Sequence, residues 1–167
     1  TSPYPGDTSS YEIFSDAVSA KGLAMTVPEL GESYSLGEAR FEFIGPLEEY
    51  DNLNDDSLVM RLEYGDTSFL FTGDMTSKAE RDLLEDGANV KCDVLKVGHH
   101  GSSSYRFLYE AEPKIAVISC EAGNSYGHPH EEALSRLNDC GAEVCRTDLE
   151  GSIIIFSNGM EVAKKAA

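Results

Sequence analysis

Apolar residues along this chain occur in short runs whose order predicts the fold class. Runs rich in Phe, Val, Leu and Ile follow one another closely in the first half and later alternate with segments of helical periodicity. The runs at 57–63 and 67–72 flank Gly65 and predict a β-hairpin. The pattern predicts further strands near 23–27, 33–36, 40–44, 93–97, 115–119, 143–146, 152–156 and 160–163, and helices over 9–21, 77–85 and 129–140. This order indicates sheets covered by helices in an α/β layered domain.

The composition is that of one globular domain, and nothing in it indicates a membrane segment. The length of 167 residues fits a single domain over 1–167, and 41% hydrophobic with 26% charged residues is ordinary for a soluble protein. No apolar run approaches the roughly 18–20 residues of a membrane helix, and no secretory signal pattern opens the chain. A start at Thr1 without Met indicates a cut end.

Strong acidity limits the partners that the chain can bind on its own. Thirty acidic and 13 basic residues give a net charge of −17, and Lys and Arg form no cluster. Passive nucleic-acid-binding modules depend on basic patches, so the composition argues against one. A metal-dependent phosphodiesterase remains compatible, because the ion supplies positive charge where the phosphate binds. Cysteines 92, 120, 140 and 145 form no Cys-x-x-Cys pair and are predicted to be buried thiols.

Two separated clusters carry the chemistry that the sequence suggests. Phe69–Asp74 and Asp93–Ser104 are each an apolar strand that ends in a glycine and then presents a carboxylate or imidazole. These are ligands that zinc-type ions prefer, and strand ends can hold them rigidly. Asp74 can instead be a helix N-cap, because a helix is predicted a few residues later. Adjacent side chains on an extended chain point apart, so we expect only one of His99 and His100 to bind metal.

Other polar positions have structural interpretations that compete with a site role. His128 and His130 flank Pro129, which suits the start of a helix, so a structural turn explains them as well as a ligand pair does. Thr147 and Asp148 are predicted to form a turn between two strands.

Glu80 and the serines at 102–104 are two further groups that could take part in chemistry. Glu80 is most simply a solvated carboxylate on a helix. The serines at 102–104 follow the histidine pair, but no base is placed opposite them, so a Ser/His hydrolase is disfavoured.

Taken in order, these motifs resemble the C-terminal portion of a metallo-β-lactamase-fold hydrolase. Within that superfamily they are most similar to the soluble domain of ComEC-type DNA-uptake competence proteins, over about residues 40 to 158 and more weakly over 1–39. The resemblance is carried by Asn54, Ser57–Gly65, Phe69–Asp74, Glu80, Asp93–Ser102, Asn124–Pro129, Arg146–Asp148 and Gly151. It implies an αββα sandwich with a one- or two-metal site that holds zinc or, in some members, manganese.

The resemblance also implies roles for individual residues. Asp74 corresponds to an aspartate that typically bridges two metals, and either His99 or His100 would ligate the second metal. His128 corresponds to a residue of the site that could donate to substrate oxygens. The remaining positions that would line the site are Ser102, Asn124, Thr147 and Asp148.

The superfamily's His-x-His-x-Asp-His motif is absent, since no histidine precedes His99. We therefore expect a truncated domain that lacks the first strands of the sandwich. Asp74 and one histidine supply two ligands where zinc needs about three or four, so this chain should bind metal weakly and catalyse little. Lost strands would leave edges and apolar faces that favour self-association.

The function implied for an intact parent is metal-assisted hydrolysis of a phosphodiester, DNA if the parent is a competence protein. Such a parent would carry this domain on the extracytoplasmic face of the bacterial membrane. Two alternatives stay open: a stand-alone soluble esterase unrelated to DNA uptake, and an interaction domain that has lost its metal site.

Overall fold

One large mixed sheet organises the computed structural model, which describes residues 1–165. Its seven strands lie side by side in chain order, and a separate two-stranded hairpin, β8–β9, follows them. The elements are α1 Ser9–Ala20, β1 Ser33–Leu36, β2 Ala39–Gly45, β3 Val59–Tyr64, β4 Thr67–Phe71, α2 Ser77–Asp86, β5 Val94–Lys96, α3 Tyr105–Ala111, β6 Ile115–Ile118, α4 Glu131–Asp139, β7 Glu143–Arg146, α5 Thr147–Glu150, β8 Ile155–Ser157 and β9 Val162–Lys164.

The direction of pairing changes at β4, and this change positions the functional loops. Strands β1 to β4 pair antiparallel, with short turns joining β1 to β2 and β3 to β4 and the long loop 46–58 joining β2 to β3. Strands β4 to β7 pair parallel, with α2, α3 and α4 as the connections between them. Parallel strands place their carboxyl ends at one edge of the sheet. The residues that follow β4, β5, β6 and β7 therefore meet along a single edge, as is usual for ligand-binding sheets.

One face of the sheet forms the main core with the helices. Leu70, Leu95 and Ile118 project from the parallel strands toward this face and are fully buried. They pack with Phe107 and Leu137 from α3 and α4, which are also fully buried. Side chains alternate between the faces of a strand, so the neighbouring residues point to the opposite side.

That opposite side, which we call the open face, is only partly covered. Hairpin β8–β9 packs over Val94, Ile115 and Cys145. The remainder carries a run of apolar side chains from β1 to β4: Tyr34, Leu36, Phe41, Phe43, Met60, Leu62, Phe69 and Phe71. The rings of Phe69 and Phe71 stack at 6.5 Å, and Leu36 and Phe71 are 63% and 39% exposed. An apolar sheet face of this kind favours burial against another surface.

We predict that the isolated chain self-associates through the open face. Leu36→Lys should raise the monomer fraction measured by light scattering, because it puts a charge into the apolar contact. Glu38→Lys is the matched control: it changes a nearby exposed side chain by two charges and removes no apolar group. A wild-type chain that stays monomeric at high protein concentration would contradict the prediction.

The structure confirms the mixed α/β class and most of the predicted elements, including the hairpin around Gly65. The strand predicted near 23–27 is wrong, because this segment pairs with no strand among the described residues and Leu23 and Val27 are exposed. Helix α3 was not predicted, since its apolar residues occupy barely two turns. The turn predicted at Thr147–Asp148 is the single helical turn α5.

Two other sequence expectations concern the thiols and the membrane. All four cysteines are free; Cys92 and Cys145 are buried as predicted, whereas Cys120 and Cys140 are half-buried. Across residues 1–165, no helix combines the length and the apolar character needed to span a bilayer.

Candidate functional site

A cavity of about 590 Å³ opens at the edge where the parallel strands end. Its size is within the range of small-molecule sites. The lining combines imidazoles, amides and carboxylates from the segments after β4, β5 and β6 with one residue from the loop before β3. The lining residues are Asn54, Asp74, His99, His100, Ser119, Cys120, Glu121, Asn124, Tyr126 and His128.

Asp74 lies in this cavity and does not cap α2, so the capping alternative is wrong. The N-cap of α2 is Thr76, whose backbone N–H donates to a carboxylate oxygen of Asp55 at 2.6 Å. The backbone N–H of Asp74 donates to Ser57 Oγ at 2.9 Å. At Gly73 the chain has a φ of +55°, and a Cβ there would lie 2.7 Å from Ser57 Cβ, so the Thr-Gly-Asp turn requires glycine. The Asp74 carboxylate is left free to face the cavity.

The histidine loop holds two consecutive non-glycine residues in the left-handed region, His99 at a φ of 42° and His100 at 57°. This conformation is costly for L-residues and persists only where the surroundings enforce it. The His99 N–H donates to Gly73 O at 3.3 Å, and the His130 N–H donates to Gly101 O at 3.1 Å. Backbone strain of this kind is concentrated at functional sites.

The two histidines of this loop differ in what their ring nitrogens contact. His99 uses both: Nε2 lies 3.3 Å from Asn54 Nδ2, and Nδ1 lies 3.2 Å from Ser102 Oγ. His100 Nδ1 lies 2.7 Å from the Ser119 carbonyl, which can only accept, so Nδ1 carries the proton. In the neutral ring, His100 Nε2 then has a free lone pair, and it faces Asp74 Oδ1 at 3.5 Å. Orientation by a carbonyl is typical of metal-binding histidines.

His128 joins the cluster from the loop before α4. Its ring centroid lies 5.1 Å from that of His99 and 5.8 Å from that of His100. Its Nδ1 atom is buried and has no hydrogen-bond partner among the described residues. Burial, with further contributions from His130 and His99, lowers the pKa of His128, which favours the neutral ring.

Ser102 and Thr147 contact residues that line the cavity, whereas Asp148 pairs with Arg146, which does not line it. Ser102 orients His99 as described above. Thr147 Oγ1 accepts from the Cys120 N–H and donates to the Cys120 carbonyl, both at 2.9 Å. Asp148 accepts from Arg146 Nε at 3.0 Å and from Nη2 at 2.6 Å, and this pairing lowers the pKa of Asp148. Thr147 thus fixes the cavity wall that follows β6.

Glu80 is fully buried, so its interpretation as a solvated helix carboxylate is wrong. One of its oxygens accepts from the Ser104 N–H at 2.8 Å, which ties α2 to the end of the histidine loop. The other oxygen and the nearby Ser103 hydroxyl are buried without a hydrogen-bond partner among the described residues. Burial raises the pKa of Glu80 above its usual range, and hydrogen bonding from Ser104 opposes this shift.

Sequence reasoning missed Asn54 as a contact of His99 and Asp55 as the acceptor that stabilises the start of α2. Both lie in a polar loop with no local signal of these roles. Nothing in the sequence indicated that Lys96 is partly buried. Its ammonium donates to the Val97 carbonyl at 2.8 Å, and burial lowers the pKa of Lys96. Within residues 1–165, no three side chains of His, Cys, Asp or Glu are arranged to hold a metal ion.

The known proteins to which this chain is similar include bacterial competence and recombination proteins. The chain is 34% identical to ComE operon protein 3 of Bacillus subtilis over 141 residues, which are 82% of this chain and 18% of that protein. It is 40% identical to competence protein ComA of Neisseria gonorrhoeae over 119 residues, 68% of this chain and 17% of that protein. Recombination protein 2 of Haemophilus influenzae is 32% identical over 114 residues, 65% of this chain and 14% of that protein.

The chain therefore spans less than a fifth of the length of these relatives. No family model matches it. The names of the relatives and the extent of their similarity support the assignment of this segment to a ComEC-like competence family.

Proposed function

We propose that this chain is part of a metal-dependent phosphodiesterase with a role in DNA uptake, and that Asp74 and His100 are its metal ligands. The observation that carries this proposal is the free Nε2 of His100, which faces the Asp74 carboxylate in the cavity while Ser119 holds the opposite nitrogen. The DNA-uptake role rests on the competence proteins to which the chain is similar.

The donor set suits zinc or manganese. One carboxylate and one neutral imidazole are ordinary ligands for these ions. The chain thus supplies two ligands, and His128, whose buried Nδ1 has no hydrogen-bond partner among the described residues, is assigned to the substrate. When bound, zinc or manganese supplies a water nucleophile at neutral pH and positive charge for the scissile phosphoryl group.

The chain's own residues hold this arrangement in place. Asn54 and Ser102 occupy both nitrogens of His99, so His99 acts as a rigid wall and His100 is the ligand of the pair. His128 faces substrate oxygens from the other side of the histidine cluster. Asp74 keeps its orientation because Ser57 binds its backbone and Gly73 permits the turn.

We further propose that the seven-stranded sheet is one half of an αββα sandwich. The apolar open face supports this, since a second sheet packed there would bury Phe41, Met60 and Phe71 as the helices bury the other face. The other half would supply the ligands that this chain lacks. In a competence protein we place the domain on the extracytoplasmic face of the bacterial membrane.

Metal binding by the isolated chain should be weak and should depend on His100 more than on His99. Two ligands fall short of the three or four of a stable zinc site, so calorimetry with Zn²⁺ should give at most weak binding. We expect His100→Ala and Asp74→Asn to abolish this weak Zn²⁺ binding. His99→Ala should weaken binding only a few-fold, because its nitrogens already have protein partners.

His130→Ala is the matched control, since His130 is exposed and does not line the cavity. Tight stoichiometric binding by the wild-type chain would contradict the two-ligand site. Equal losses of Zn²⁺ affinity in the His99 and His100 variants would contradict the assignment of His100 as the ligand.

The reaction class is tested in the full-length protein, with phosphodiester, lactam and thioester substrates compared side by side. Hydrolysis of phosphodiesters that is lost in Asp74→Asn is the expected result. Activity toward a lactam or thioester, with none toward phosphodiesters, would overturn the proposal.

A further inference from the structure

We propose that Tyr126 forms a nucleobase-binding subsite at the mouth of the cavity, with single-stranded nucleic acid as the ligand. This inference rests on the proposed phosphodiesterase function and names the part of the substrate that the chain recognises. Tyr126 lines the cavity, yet 80% of its surface is exposed. A large ring left uncovered at a cavity mouth is available to stack on a ligand.

The loop that carries Tyr126 is held rigidly by its own amide side chain. Asn124 Nδ2 donates to the His128 carbonyl at 2.6 Å and to the Glu121 carbonyl at 2.9 Å. Asn124 Oδ1 accepts from the Tyr126 N–H at 3.1 Å and from the His128 N–H at 3.0 Å. Four hydrogen bonds from one residue fix the loop before any ligand arrives, so binding costs little ordering entropy.

The same bonds set the spacing between Tyr126 and the polar groups of the site. The Tyr126 ring meets the His128 ring edge-on, with centroids 6.1 Å apart. His128 belongs to the histidine cluster beside Asp74 and His100. A base stacked on Tyr126 therefore lies next to His128 and the histidine cluster.

The charge of the cavity favours recognition through a base over recognition through the backbone. Among its described lining residues there is no Lys or Arg, whereas Asp74 and Glu121 contribute two carboxylates. In most nucleic-acid sites Lys and Arg neutralise the phosphate backbone. This lining contains neither, so it offers no cation to phosphate oxygens. Stacking on an aromatic ring does not need a cation and tolerates every base.

The test is a chemical-shift titration of the metal-free chain with a deoxyadenosine tetranucleotide and with an abasic strand of the same length and charge, at about 1 M salt, which screens the repulsion between the strands and the chain's net charge of −17 and leaves stacking intact. Tyr126→Ala should weaken binding of the tetranucleotide about tenfold and leave the abasic strand unaffected. Tyr126→Trp should retain the affinity, because it keeps an aromatic face. Tyr105→Ala is the matched control: Tyr105 is 52% exposed on α3 and does not line the cavity.

Failure of the wild-type chain to bind the tetranucleotide more tightly than the abasic strand, equal weakening for both strands in Tyr126→Ala, or an equal loss in Tyr105→Ala would overturn the subsite. The assay needs neither metal nor turnover, so its failure is distinguishable from failure of the hydrolase proposal. Base-dependent binding in a protein that cleaves no phosphodiester would sustain the subsite and refute the reaction.

Discussion

Glu80→Ala should lower the free energy of unfolding by about 3 kcal/mol, whereas Glu80→Gln should raise it by about 1 kcal/mol at neutral pH. The alanine variant leaves a cavity beside α2 and strips the Ser104 N–H of its acceptor. Glutamine keeps that acceptor, gives the unpartnered Ser103 hydroxyl a donor and removes a charge that is costly to bury. Thermal unfolding monitored by circular dichroism measures both effects.

The gain in Glu80→Gln should depend on pH with a definite sign. Because burial raises the pKa of Glu80 in the folded state, the folded protein holds this proton more tightly than the unfolded chain does. The wild type therefore keeps full stability below the unfolded pKa and loses stability as pH rises through the folded pKa. The difference between the variant and the wild type should be small in acid and grow toward neutral pH.

The matched control is Glu85→Gln, an exposed position on the same helix that should show no such trend. A stability difference independent of pH, or a glutamine variant as unstable as the alanine variant, would show that Glu80 is not a buried charge holding the loop.

Thr147→Val should lower the free energy of unfolding by about 2 kcal/mol and loosen the cavity wall that follows β6. The variant keeps the shape of the side chain but leaves both the N–H and the carbonyl of Cys120 without their partner. Because Ser119 adjoins Cys120 and orients His100, the His100 ring resonances should broaden or shift in the NMR spectrum.

Thr147→Ser retains the hydroxyl and should restore both stability and the His100 resonances. If valine and serine behave alike, the hydroxyl does not hold this wall. A stability loss without any change at His100 would show that this wall does not position the proposed metal ligand.

The sequence predicted the fold well where local pattern and tertiary contact agree. The parallel strand β6 is a continuous apolar run, and β5 is apolar except for Lys96, as expected for strands covered on both faces. Leu23 to Val27 is an equally good apolar run, but a strand needs a neighbour to pair with, and pairing is not encoded in the run itself. Helix α3 was missed for the converse reason: its Phe107 and Leu108 gain their burial from α4 and the sheet.

The location of the candidate site was predictable from the sequence, but the separate roles of His99 and His100 were not. Strand ends followed by Asp74 and by a histidine pair indicate a ligand edge from sequence alone. Which nitrogen is free depends on Asn54 and Ser119, which lie far away in the chain and meet the histidines only in the fold. The burial of Glu80 had a local sign, since it lies beside Ala79 and three residues before Leu83, both buried on the same helix.

The left-handed pair at His99 and His100 has an evolutionary consequence. Glycine would adopt the same backbone at either position without strain, so stability alone favours replacing both histidines. Under selection for solubility and abundance alone, the two histidines would be replaced before core residues were. A lineage that keeps both histidines there is under selection for what their rings do, and a directed-evolution campaign for thermostability should exclude these two positions from its library.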